Sequence, residues 1–171
     1  MRSLGLDVGD KRIGVAVSDP EGVIAFSLTT IANGDEDTAI NDVIKLAGQY
    51  DIEHIVVGLP LSLNGEIGQQ AKKVMAFADK VSLQAKQSNL GHVDIQMWDE
   101  RLSTVAANRL MTESGGRYKL QSGTKNKGTK GKGINKNRKS SAKVAIDAVA
   151  AAFILQGFLD SVSEGEWCQS T

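Results

Sequence analysis

"LGLDVGDKRIGVAVSD", residues 4–19, contains two strand-like apolar runs with a turn between them, and an aspartate sits in the middle of the first run. Residues 3–8 and 12–18 are rich in aliphatic and β-branched side chains, and Gly9-Asp10 between them suits the tight turn of a hairpin. Strand side chains alternate, so Leu4, Leu6 and Val8 share one face while Gly5, Asp7 and Gly9 share the other. Two readings of Asp7 follow. It points into solvent, or it lies on a face kept bare by glycines, where something large approaches the backbone.

Residues 22–31 form a third expected strand after the Asp19-Pro20 break. Residues 33–50 read as a helix with an acidic opening and with Ile40, Val43, Ile44 and Ala47 at spacings of three and four. "HIVVG", 54–58, is a short unalternating strand of the buried central kind. A helix over 65–86, a strand over 92–101 and a helix over 103–114 come next, and a last helix over 141–161 follows a Gly- and Lys-rich stretch. Three antiparallel strands followed by alternating helices and strands imply an α/β fold, a mixed five-stranded sheet flanked by helices. The chain is expected to form one domain over 1–161, with a flexible basic loop at 115–141 and a polar tail at 162–171.

Composition narrows the class. With 41% hydrophobic and 23% charged residues, the 171-residue chain reads as soluble and globular. No signal-peptide pattern opens it, and the apolar run 144–155, interrupted by Asp147, is shorter than the roughly twenty residues of a membrane span. No membrane association is expected. A single cysteine, Cys168, allows no internal disulfide, so the reducing cytoplasm is the expected compartment. His54, His92 and that cysteine do not make a zinc site of the usual type. Ten of the twenty basic residues lie in 117–143 with no acid among them, leaving ten net negative charges on the rest of this neutral chain. Blocks of this kind often meet polyanions.

Three carboxylate positions stand out. Asp147 lies in a helix that is apolar nearly all round and therefore expected to be buried, where an ionised carboxylate is costly unless paired or bound to a cation. Pairing with Lys143, one turn earlier, is the structural alternative. Asp99 and Glu100 close the strand ending "IQMWDER"; adjacent strand residues point to opposite faces, so regular geometry does not set both in one pocket. A polar strand end with Arg101 as partner is the other reading. Carboxylates from the first strand, a later strand and the last helix would together offer oxygen ligands to Mg²⁺ or Mn²⁺, the ions that activate water in phosphodiester hydrolysis.

Four ordered stretches, "LDVGDKRIGVAVSD", "VVGLPLSLNGEIGQQAKKVMAFA", "WDERLSTVAA" and "KVAIDAVAAAFILQGFLD", resemble the blocks of the YqgF/RuvX-like family over about 4–114 and 140–160. The resemblance implies the RNase H-like fold of RuvC-type resolvases. It also implies a nuclease of 16S rRNA 5′-end maturation, with Holliday-junction resolution as the alternative. By position it assigns Asp7, Glu100 and Asp147 as catalytic, metal-binding carboxylates, with Asp99 as the alternative to Glu100. Lys11 and Arg12, in the matching "DKRIG", are expected to contact phosphates or order the turn, or else to be solvated. The resemblance also implies that Arg101 orients Glu100 or touches substrate, and that Asn64 belongs to a loop near the pocket.

The basic segment is longer here than the family usually has. Lys125, Lys127, Lys130 and Lys132, spaced by glycines and polar residues, suit an arm that tracks a phosphate backbone, or a solvated dispensable loop. The expected protein is a metal-dependent hydrolase of structured RNA that meets the ribosome or its precursors; branched DNA is the second substrate and a homodimer stays open. A non-catalytic RNA-binding assembly factor is the competing class. Sugar kinases and actin-like ATPases also open on an Asp-x-Gly strand, but the chain is short for their two lobes.

Overall fold

The computed structural model describes residues 1–62, 65–99 and 137–167, and of 137–145 and 164–167 the backbone alone. Strands β1 (Ser3–Val8), β2 (Arg12–Ser18) and β3 (Ala25–Ala32) form an antiparallel meander. Helix α1 (Glu36–Gln49) leads into β4 (His54–Leu59), which pairs parallel to β1. Helix α2 (Gln69–Gln87) leads into β5 (Asp94–Asp99), parallel to β4, and α3 (Asn137–Trp167) ends the described chain. The sheet order is β3-β2-β1-β4-β5, the expected mixed five-stranded sheet.

Strand alternation splits the core in two. Leu4, Leu6, Ile13, Val15, Ile55 and Val57 face α1 and α2, while Ala16 and Val56 face α3 through Ala151, Leu155 and Phe158. Each fully buried Leu, Ile or Val contributes roughly 1.5–3 kcal/mol relative to exposure. The centre of the sheet, where β1 lies between β2 and β4, is therefore buried on the face toward α1 and α2 and paired on both edges.

Several boundaries move, each for a local reason. The hairpin turn is centred on Asp10 and Lys11, one residue past the expected Gly9-Asp10, because the Gly9 amide donates to the Arg12 carbonyl at 2.9 Å. β3 starts at Ala25 and not at 22, since the Asp19 carboxylate accepts from the amides of Val23 (2.7 Å) and Ile24 (2.9 Å) and folds that stretch into a turn. α1 begins after Asp35, whose carboxylate caps the Thr38 amide at 3.2 Å. α2 starts at Gln69 after Gly68, later than 65, and β5 starts at Asp94, later than 92, while its expected last residues, 100 and 101, lie outside the described residues.

α3 departs most from expectation. It begins at Asn137, inside the stretch assigned to the basic loop, and runs through Trp167. Its polar end stays helical where a tail was expected, with the Ser161 and Ser163 hydroxyls donating to the carbonyls of Phe158 (2.7 Å) and Asp160 (2.8 Å). Nor is the helix buried all round. One flank rests on the sheet, while Ile146 and Val149 stay 65% and 44% exposed, because a single sheet face covers a single stripe. Its stretch Ile146–Ser163 is long and apolar enough to cross a membrane by length and composition, yet it packs as the core helix of that face. The expected helix at 103–114 and the remainder of the 115–141 loop, up to 136, lie outside the described residues.

Candidate active site

The position of Asp7 follows from register. In the β1–β2 ladder Asp7 stands opposite Gly14, and opposed residues share a face. A Cβ on Gly14 would lie 2.0 Å from the Asp147 carbonyl oxygen and 2.5 Å from its carbon, so α3 sets its backbone directly on that glycine. Gly5, two residues before Asp7, is covered in the same way, with Leu155 Cβ 2.7 Å and the Ala151 carbonyl 3.0 Å from its absent Cβ. The glycine face of β1 is thus bare because a helix lies on it, and the helix brings Asp147 to Asp7.

The two carboxylates line one cavity of about 780 Å³ with Gly9, Asp10, Lys11 and Arg12. Burial pushes the Asp7 carboxyl above its ordinary range, and the neighbouring Asp147 charge pushes it further. Arg12 Nη1 stands 3.8 Å from Asp147 Oδ2 and is the cation paired with Asp147 among the described side chains; that of Lys143, the expected alternative, lies outside them. At the rim, Lys73 Nζ on α2 donates to Asp10 Oδ1 at 2.8 Å, and Gln70 Nε2 donates to the Val8 carbonyl at 3.3 Å. Asn33 braces the turn from behind, its amide donating to the Lys11 carbonyl at 2.9 Å and its Nδ2 to the Gly9 carbonyl at 2.8 Å. The hairpin tip is pinned from two sides.

Of the expected site residues, Asp7, Asp147, Lys11 and Arg12 come together around this cavity. Asp99 does not join them. It pairs with Leu59 and shares the parity of Met97, on the sheet face opposite Asp7, whereas Trp98 lies on the α3 side with its ring 5.8 Å from that of Phe158. Glu100, Asn64, Arg101, Lys125, Lys127, Lys130 and Lys132 lie outside the described residues. Among the described residues no three His, Cys, Asp or Glu side chains gather into a metal cluster. Sequence reasoning missed Gly14, Asp10, Asn33 and Lys73. A one-residue shift of the turn would have shown that Gly14 opposes Asp7; nothing in the sequence links Lys73 to Asp10.

The raised Asp7 pKa has a consequence for stability. The folded state holds this proton more tightly than the unfolded chain, so the Asp7 contribution falls as pH rises from the ordinary aspartate range through the raised folded value. Above that window the penalty is complete. Asp7→Asn is therefore expected to melt at a higher temperature than the unsubstituted protein at pH 7 in EDTA, with the difference vanishing below the ordinary aspartate range. Thermal melts across pH check this; a less stable Asp7→Asn at pH 7 would contradict it.

A carboxylate pair on a rigid sheet and helix, one member carrying an excess electrostatic cost, fits a hard divalent cation with oxygen ligands. The model of the RuvX family, described as Holliday junction resolvase, matches residues 1–129. A protein of Clostridium botulinum (strain Hall) named "Putative pre-16S rRNA nuclease" is 38% identical over 164 residues, 96% of this chain and 100% of its own. One of the same name from Clostridium acetobutylicum is 41% identical over 162 residues, 95% of this chain and 100% of its own. Among solved structures, T. thermophilus RuvC in complex with a Holliday junction substrate aligns with a TM-score of 0.52 at 14% identity, over 95% of this chain and 96% of that one, and shares the fold. With that model matching three quarters of its length from the first residue, the chain belongs to the RuvX family.

Proposed function

We propose that the protein is a divalent-metal-dependent nuclease that hydrolyses phosphodiester bonds at the 5′ end of the 16S rRNA precursor in the cytoplasm, during assembly of the ribosome. The observation that carries this reading is the convergence of Asp7 and Asp147 on one cavity whose rim carries Lys11 and Arg12. The full-length relatives named for pre-16S rRNA support the substrate.

Asp7 and Asp147 would hold the cation, Mg²⁺ or Mn²⁺, with Glu100, assigned by the family resemblance, as the third ligand. Such a cation, when bound, would acidify a water and neutralise charge at the phosphorus. The chain supplies the rest. The sheet fixes Asp7, the helix seated on Gly14 fixes Asp147, and Lys11 and Arg12 present charge to the backbone flanking the scissile bond. By the family resemblance Asn64 and Arg101 would contact the substrate, and Lys125, Lys127, Lys130 and Lys132 would add salt-sensitive phosphate contacts.

Holliday-junction resolution is the second reading, favoured by the family description and the RuvC fold. The deciding experiment incubates the protein with a precursor 16S rRNA fragment and with a four-way DNA junction, in Mg²⁺, in Mn²⁺ and in EDTA. Metal-dependent cutting of the RNA supports the proposal, and cutting of the junction alone moves the assignment to recombination. If neither is cut while RNA is bound, the protein is a non-catalytic assembly factor.

A further inference from the structure

Arg12 opens β2 at the mouth of the cavity, and its backbone is fixed by the Gly9 amide on its carbonyl at 2.9 Å. Its side chain is held far less firmly. The 3.8 Å from Nη1 to Asp147 Oδ2 exceeds hydrogen-bond range, so the contact is charge against charge without a directed bond. Both side chains are about one-third exposed, at 33% and 29%, so water weakens the attraction further. The rim pair Lys73–Asp10, at 2.8 Å, makes the direct hydrogen bond that the inner pair lacks. A guanidinium stays charged at every accessible pH and presents a fork that matches phosphate oxygens two at a time. Arg12 thus has a loose partner in the free protein and a better one in a nucleic acid.

We propose that Arg12 is the resident counter-ion of the Asp7–Asp147 pair, and that it exchanges Asp147 for a backbone phosphate when the carboxylates take up a divalent cation. The inference rests on the nuclease site proposed above and adds how that site is switched. Guanidinium and cation compete for Asp147, so Arg12 weakens cation binding in the absence of nucleic acid. A phosphate draws Arg12 away, so nucleic acid and cation each favour the binding of the other, and by linkage the two effects are equal. The free protein then loads poorly with cation until its substrate arrives.

Two binding measurements test this without using activity. Mn²⁺ is titrated calorimetrically into the full-length protein and into Arg12→Gln, Arg12→Met and Arg12→Lys without RNA. RNA affinity of the same proteins is then measured in EDTA. Removing the charge is expected to tighten Mn²⁺ binding roughly two- to fivefold, the range set by a partly exposed ion pair, and to weaken RNA binding. Arg12→Lys keeps the charge and is expected to bind Mn²⁺ as the unsubstituted protein does. Equal or weaker Mn²⁺ binding in both neutral variants overturns the exchange, and so does unchanged RNA affinity. Asp147→Asn separates the two levels of the account. Its loss of Mn²⁺ binding beside unaltered Arg12 variants sinks the exchange alone, whereas its retention of Mn²⁺ affinity sinks the site itself and the exchange with it.

Discussion

Asp7→Asn and Asp147→Asn are each expected to slow cleavage of the precursor RNA by about a thousandfold or more under single-turnover conditions. A bound cation contributes several kcal/mol of transition-state stabilisation, and each factor of ten corresponds to about 1.4 kcal/mol. Asparagine keeps the shape of the side chain and removes the charge, so the fold survives the change. The stability of Asp7→Asn moves the other way. Losing the charge that burial and Asp147 make costly raises the melting temperature in EDTA while the rate collapses. A damaged fold would lower both, so the opposite signs identify a functional carboxylate. Substitutions that leave cleavage near its original rate would remove these residues from the chemistry.

Gly14→Ala is expected to destabilise the protein by about 3 kcal/mol or more, at or above the upper end for forcing a methyl group into a packed interior. That corresponds to roughly 6–12 °C in melting temperature for a chain of this size. The added carbon would meet the Asp147 carbonyl oxygen at 2.0 Å, and this neighbour is helix backbone with no rotamer to change. α3 must lift or slide, and Asp147 moves with it, so activity falls beyond what the remaining folded fraction explains. Gly14 is needed for space, since its backbone is not left-handed. Gly34→Ala is the control, because open space surrounds that position and little change is expected. Thermal melts and single-turnover rates on the two variants check both halves.

The first hairpin and the mixed sheet were legible because alternation, a turn pair and helical spacing all act over a few residues. The ends of α3 were not. Its polar terminus looked like a tail because 162–167 lacks an apolar stripe, which is the signal that marks a helix in sequence. The bare face of β1 was visible in Gly5 and Gly9, yet what covers it required the β1–β2 register, which a one-residue shift of the turn changes. Asp7 and Asp147 are far apart in the chain, and no spacing rule joins them. The family resemblance pointed to the pair, and Gly14 gives the physical reason that they meet. The Lys73–Asp10 and Arg12–Asp147 contacts depend on tertiary packing alone.

The most direct test of the central claim, that Asp7 and Asp147 act as one cation site, is a double-substitution cycle. Single-turnover cleavage of the precursor RNA would be measured in Mg²⁺ for the unsubstituted protein, Asp7→Asn, Asp147→Asn and the double variant. Two groups that serve a single site lose their function together, so the double variant is predicted to be no slower than the slower single variant. Losses that multiply, leaving the double variant slower than either single one by the full product, would show two independent contributions and contradict the site described here.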